Sequence, residues 1–103
     1  MPTKQADPAL KQEVSVAVRE PPMFKVIYIN DETTTQEFVV ETLKIIFHYD
    51  QGAAEALTMK VHEEGSAVVA VMPFEMAEQK GIEVKMMAMA NGFPLQVKIE
   101  QDT

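Results

Sequence analysis

Six consecutive residues, Ala67-Val68-Val69-Ala70-Val71-Met72, are small, β-branched or otherwise apolar, and Pro73 closes the run. A stretch this short and valine-rich reads as a β-strand, and with no polar position in it the strand must be covered on at least one face and flanked by neighbours. The chain therefore has to build a sheet and something to lay over it, with this run as the expected central strand. Two other stretches supply partners. Phe24 to Ile29 is rich in β-branched and aromatic residues. Leu95, Val97 and Ile99 alternate with Gln96, Lys98 and Glu100, the period-two pattern of a strand with one wet face.

Between these strands the spacing becomes helical. Thr33, Thr34 and Thr35 offer N-cap oxygens and Glu37 an acidic first turn, so a helix is expected from about Thr35 to Phe47, with Val39, Leu43, Ile46 and Phe47 on its apolar side. Asp50 can cap a second helix running to about Glu63, and Gly65, tolerant of positive φ, ends it. Pro73 suits the first position of a third helix, where its missing N–H would have had no intrahelical partner, and Gly92 stops that helix after Asn91. Phe74, Ala77, Gly81, Val84 and Ala88 form a narrow stripe of mostly small residues that allows close approach to a sheet. Met86, Met87 and Met89 on the same helix read as core filling and are assigned no site. The result is an α+β domain of order β-α-α-β-α-β: a three-stranded antiparallel sheet packed on one face against three helices. The order of strands within the sheet is not written in the pattern.

Residues 1–20 carry few large apolar side chains and no sustained period, and Pro21-Pro22 resists helix continuation. Residues 1–21 are therefore expected to be a flexible extension and residues 22–103 the folded domain. The extension's three basic residues (Lys4, Lys11, Arg19) balance its three acidic ones (Asp7, Glu13, Glu20), so the formal charge of −7 falls on the domain. Such a surface makes nucleic acid a poor partner and favours cationic ligands. Without cysteine, and with only His48 and His62, neither a disulfide framework nor a zinc site is expected, and no cofactor is called for. No apolar run approaches the roughly 20 residues that span a bilayer, and the first twenty residues fit neither a signal nor a transit peptide, so a soluble cytoplasmic protein without a membrane partner is expected.

Where the first strand stops, Asn30-Asp31-Glu32 place an amide and two carboxylates ahead of a helix. On the second helix Thr58, Val61 and His62 share a face at i, i+3 and i+4; on the first, Gln36, Val39 and Leu43 do the same. If these helices are neighbours, a polar rim adjoins an apolar hole. A free α-amino group has a pKa of about 7.7 to 8.0, so near neutrality it is mostly an ammonium with three donors and no acceptor. An Asn carbonyl, a carboxylate and an imidazole nitrogen would satisfy it. From residue types alone, a solvated turn with a helix cap and a surface histidine account for the same residues.

The string Pro22-Met23-Phe24-Lys25-Val26-Ile27-Tyr28-Ile29-Asn30-Asp31-Glu32, then Glu37-Phe38-Val39, Val61-His62 with Gly65, Glu75-Met76-Ala77-Glu78-Gln79-Lys80 and Pro94-Leu95, resembles the ClpS family over about residues 22 to 101. These are bacterial adaptors that deliver N-degron substrates to the ClpAP protease. The resemblance implies the same β-α-α-β-α-β fold and a non-enzymatic, monomeric, cytoplasmic bacterial protein. It implies that Asn30, Asp31, Glu32 and His62 hold the α-amine of a substrate's first residue, and that Thr34, Gln36, Val39, Thr58, Val61 and Leu95 line the pocket for its side chain. That side chain would be Leu, Phe, Tyr or Trp. It further implies that Glu75 and Lys80 contact the N-terminal domain of a ClpA-type AAA+ unfoldase, and that the extension enters the unfoldase channel during hand-off. Several positions depart from the family pattern. Glu32 stands for an aspartate, Gln36 and Thr58 for methionines that wall the pocket, Thr33 for a tyrosine and Thr35 for a proline, as in a specialised paralogue. A protein-interaction domain of ribosomal-stalk type is the alternative, with no use for an amine cage. A small hydrolase using His62 with Asp31 or Glu32 is a third, weakened by the want of a nucleophile motif.

Overall fold

The computed structural model describes residues 21–103; the expected extension and its hand-off role lie outside the described residues, apart from Pro21. Six elements follow in the expected order: β1 (Met23–Ile29), α1 (Gln36–Phe47), α2 (Gln51–Glu64), β2 (Ser66–Pro73), α3 (Phe74–Ala90) and β3 (Gln96–Gln101). Both pairings are antiparallel, and the sheet order is β2-β1-β3.

The central strand is thus β1, not the valine-rich β2. The reason lies in which valines are covered. Ala67 and Val69 face the helices and are buried, whereas Val68 and Val71 are 39% and 43% exposed. The continuous apolar run therefore reflects one covered face and one largely open one, at an edge. Its register also breaks once: Val26 pairs with Ala70 and Ile27 with Val68, which leaves Val69 as the extra residue of a β-bulge. The Val69 carbonyl accepts the hydroxyl of Tyr49, so this buried acceptor is satisfied from outside the ladder.

The caps explain the helix boundaries. Of the three threonines, Thr35 is the N-cap of α1 and accepts from Phe38 N at 3.2 Å. Asp50 caps α2 by accepting from Ala53 N at 2.8 Å, and Gly65 closes it at φ 89°, a conformation that glycine adopts without a Cβ penalty. Pro73 does not begin α3 as a helical residue. It ends β2 with an extended ψ of 154° and serves as the cap position, so the helix starts one residue later.

The three helices cover one face of the sheet, with α3 against all three strands and α2 against β2. Tyr28, Val26, Leu43, Val69 and Val84 are the large side chains at the centre. Thr42 is buried with them and donates to the Val39 carbonyl (2.7 Å), so the Tyr28 hydroxyl donates to Thr42 Oγ1 (2.8 Å) and neither group is left unsatisfied. Burial pushes the Tyr28 hydroxyl pKa up. On α3, Ala77, Val84 and Ala88 are buried as the stripe predicts, but Met86 and Met89 are 65% and 71% exposed. Only Met87 of that trio packs against the core, because the other two lie on the side of the helix away from the sheet.

Candidate functional site

The last ladder pair of β1, Ile29 with Ser66 on one side and Gln96 on the other, releases the chain into the loop that leads to α1. Asn30 N donates to the Gly65 carbonyl at 2.9 Å, which ties the end of β1 to the end of α2, three residues beyond His62. Asp31 then organises the rest of the loop. Its Oδ1 accepts from Thr33 N (2.8 Å) and Thr34 N (2.7 Å), and its Oδ2 accepts from Thr34 Oγ1 (2.8 Å). Burial by itself would raise the pKa of this carboxyl. The bonds from Thr34 and Thr33 outweigh that and hold it below the ordinary carboxylate range, so at neutral pH Asp31 is an anion with a fixed orientation.

These contacts close a cavity of about 310 Å³ between the loop, the start of α1 and the last turns of α2. Asn30, Asp31, Glu32 and His62 lie on its polar side; Thr34, Gln36 and Thr58 form walls; Val39 and Val61, 6% and 2% exposed, supply the apolar floor. Nine of the ten residues expected at an amine-and-side-chain site therefore surround one space. Leu95 is the tenth. It is buried in the same core as Val39 and Val61 but lines a separate depression with Phe93, Pro94 and Val97. Sequence spacing placed Val39 with Gln36 and Val61 with Thr58 and His62 correctly, because one-turn neighbours on a helix share a face whatever the tertiary packing.

The wall residues differ from one another in what they offer. Thr58 is 3% exposed, and its hydroxyl donates to the Ala54 carbonyl at 2.8 Å, so it narrows the wall without presenting a free donor. Gln36 and Glu32 are exposed at the rim, and His62 is exposed in the last turn of α2. A cavity of this kind can hold a cationic donor group at one side and an apolar group at the other. No group of three or more His, Cys, Asp or Glu side chains that could hold a metal ion occurs among the described residues. No helix among them is long and apolar enough to cross a membrane.

The Gly65 carbonyl, which fixes the two halves of the rim against each other, was not assigned to the site from sequence. Gly65 was recognisable as a helix stop, but its partnership with Asn30 spans thirty-five positions and has no local signal. Of the two α3 residues expected at a protein contact, Glu75 is exposed in the first turn, and Lys80 Nζ lies 3.9 Å from Glu83 Oε1.

Comparison with known proteins gives a consistent picture. The model of the family "ATP-dependent Clp protease adaptor protein ClpS" matches residues 19–98. The chain is 42% identical over 92 residues to the Clp protease adapter protein ClpS of Wolinella succinogenes, covering 89% of this chain and 88% of that one. It is 39% identical over 101 residues to the ClpS of Nautilia profundicola, covering 98% and 99% respectively. Among solved structures, Agrobacterium tumefaciens ClpS2 bound to L-phenylalaninamide superposes with a TM-score of 0.78 at 35% identity, over 81% of this chain and all of that one.

Proposed function

This chain belongs to the ClpS family of ATP-dependent Clp protease adaptors, and from that premise we propose that its cavity captures the free α-amine and large apolar side chain of a substrate's first residue for delivery to a ClpA-type unfoldase. The family serves a Clp protease, so a Clp unfoldase and the proteins fed to it are the partners. One observation supports the finer reading above the others: Asn30, Asp31, Glu32 and His62 meet on one side of a cavity whose floor is Val39 and Val61.

An ammonium brought to that side finds an amide oxygen, an imidazole nitrogen and two carboxylates, and the ionised Asp31 offsets its charge. Glu32 reaches one methylene further than an aspartate and contributes charge from the rim. The first side chain points to Val39 and Val61, which are buried in the core that also holds Leu95. Phenylalaninamide, the ligand of the A. tumefaciens relative, has this form: a free amine beside a large apolar group. Glu75 and Lys80 are the proposed contacts to the unfoldase N-terminal domain, and residues 22–103 the binding domain. The protein acts as a cytoplasmic monomer that makes and breaks no bond.

Fluorescence anisotropy with peptides that differ only in their first residue, beside an N-acetylated control, tests this reading. Binding of Leu, Phe, Tyr or Trp peptides that disappears on acetylation is the expected result; equal binding of the acetylated peptide refutes amine recognition. His62→Ala removes a hydrogen bond to a charged group, worth about 1.5 to 3 kcal/mol, so affinity should fall roughly 10- to 150-fold. His62 is exposed, and its loss should move stability by no more than about 0.5 kcal/mol.

A further inference from the structure

The sheet has two edges, and they differ. Along β2 the register breaks at the Val69 bulge, the Tyr49 hydroxyl takes the Val69 carbonyl, and α2 packs against the strand. Along β3 the register with β1 runs unbroken from Gln96 to Gln101, and no second strand lies beside it. Alternate residues of an antiparallel edge strand turn their N–H and C=O groups away from the neighbour, so β3 presents a row of such groups at regular spacing. Among the described residues, no turn or loop main chain hydrogen-bonds to that row.

At the start of β3 lies a depression of about 330 Å³, walled by Lys85 and Met89 of α3, by Phe93, Pro94 and Leu95 of the link, and by Val97 of β3. No residue of β1 or β2 lines it, so it belongs to the flank of the molecule that β3 forms. Lys85 is exposed and takes part in no salt bridge among the described residues. Its neighbours three and four positions away on α3 are Gly81, Ile82, Ala88 and Met89, none of them a carboxylate. We propose that the free side of β3 docks an extended segment of a partner protein, which adds a fourth strand, sets an apolar side chain in the depression and brings an acidic one to Lys85. The proposal does not depend on the amine-binding reading of the cavity.

Two arguments select that occupant. A row of main-chain donors and acceptors at strand spacing is matched by a polypeptide in the extended conformation, and the pocket beside it then chooses among side chains. Strand β3 is also only about 20 Å long, so contact along it is a narrow strip. That falls well short of the roughly 800 Å² per partner that two folded domains bury in a stable pair, which disfavours a second copy of this chain. Met89, Phe93, Pro94 and Val97 suit an aliphatic or aromatic side chain, and Lys85 suits a carboxylate. Both contacts lie on the side of the sheet that α3 covers, so in an extended segment they come from positions two apart.

The test follows backbone amide resonances of the full chain during titration with the peptide Thr-Leu-Thr-Glu-Thr-Val-Thr, acetylated and amidated so that it offers no free amine. Shifts should concentrate along Gln96 to Gln101 and at Lys85 and Met89. The analogue with Lys in place of Glu should bind about threefold to tenfold more weakly, and Lys85→Glu should reverse that order. N-methylation separates strand addition from side-chain docking, since only alternate amides of an added strand face β3: methylating one alternate set should abolish binding and methylating the other should spare it. Equal binding of both methylated peptides, or no shift along β3 at millimolar peptide, overturns the proposal. Shifts along β3 that grow with protein concentration in the absence of peptide assign the edge to a second copy and overturn it as well. An unacetylated peptide beginning with Leu, added to the same sample, reports the cavity through shifts around Asn30 to Thr34, so either reading can fail while the other stands.

Discussion

Between Asn30 and Thr35 the chain is held by hydrogen bonds centred on the Asp31 carboxylate, whereas along the outer side of α3 the side chains are largely free. Asp31 alone accepts three hydrogen bonds, Asn30 N is tied to Gly65, and Thr35 caps α1. On α3 no side chain caps the N-terminus, and Ile82, Met86 and Met89 stand 47%, 65% and 71% exposed. A ligand as small as one amino-acid residue gains affinity from groups already oriented, since every rotor frozen on binding subtracts from it. A helix face that meets another protein has no such need, because long flexible side chains can adjust on contact. The contrast matches a fixed cavity for a terminus at one place and an adaptable surface at another.

Removing the organiser of the ordered region should produce the largest effect. Asp31→Ala leaves two loop N–H groups and one hydroxyl without acceptor, and stability should fall by about 1 to 3 kcal/mol with peptide affinity reduced at least about tenfold. Its pH dependence gives a second check. The folded carboxyl titrates below its ordinary value of 3.8, so its stabilisation is complete above that pH and lost as pH falls towards the folded pKa. Thermal unfolding of the variant should therefore be less acid-sensitive in that window. An unchanged midpoint at neutral pH would break the contrast.

The two regions should also respond oppositely to the same substitution. Gly65→Ala forces a Cβ onto a residue at φ 89°, and although nothing lies within 4 Å of that Cβ, the backbone strain should destabilise by about 1 to 2 kcal/mol and disturb the Asn30 link. Gly81→Ala sits inside α3, where the new Cβ meets Ile99 Cδ1 at 3.6 Å and Val97 Cγ1 at 3.7 Å, ordinary contacts. Helix propensity should then make it neutral to about 1 kcal/mol stabilising, without effect on peptide binding. Denaturant midpoints measure both. The smallest effect is expected from Glu75→Ala with Lys80→Ala: docking to the unfoldase N-terminal domain should weaken about threefold to tenfold by surface plasmon resonance, as for exposed charges, with peptide affinity unchanged. Loss of peptide binding in that variant would join the two regions instead of separating them.

The element order and the helix caps at Asp50 and Gly65 were legible because they depend on neighbours within a few positions; the antiparallel sense of the sheet was expected too, but not which strands pair. So were the faces that bring Val39 to Gln36 and Val61 to His62. The place of β2 was not. Ala67 to Met72 has the composition of a buried strand, yet composition does not state how many neighbours a strand has, and β1, with its Lys25 and Tyr28, holds both ladders. Met86 and Met89 were misread for a related reason: methionine serves equally in a core and on an exposed face, and only the position of the sheet relative to α3 tells them apart.

By itself, then, the sequence determined the periodic elements, their ends and the chemical kinds of group at the head of α1 and the tail of α2, all consequences of interactions spanning at most one helical turn or one strand. Tertiary structure alone decided that Asn30 meets Gly65, that Leu95 is buried in the shared core but lines a different depression from the cavity, and that Gln36 and Thr58 stand on the wall of the cavity. Each of these joins residues from different elements. Their distances are set by how α1, α2 and the sheet pack against one shared core, and no local pattern in the chain encodes that packing.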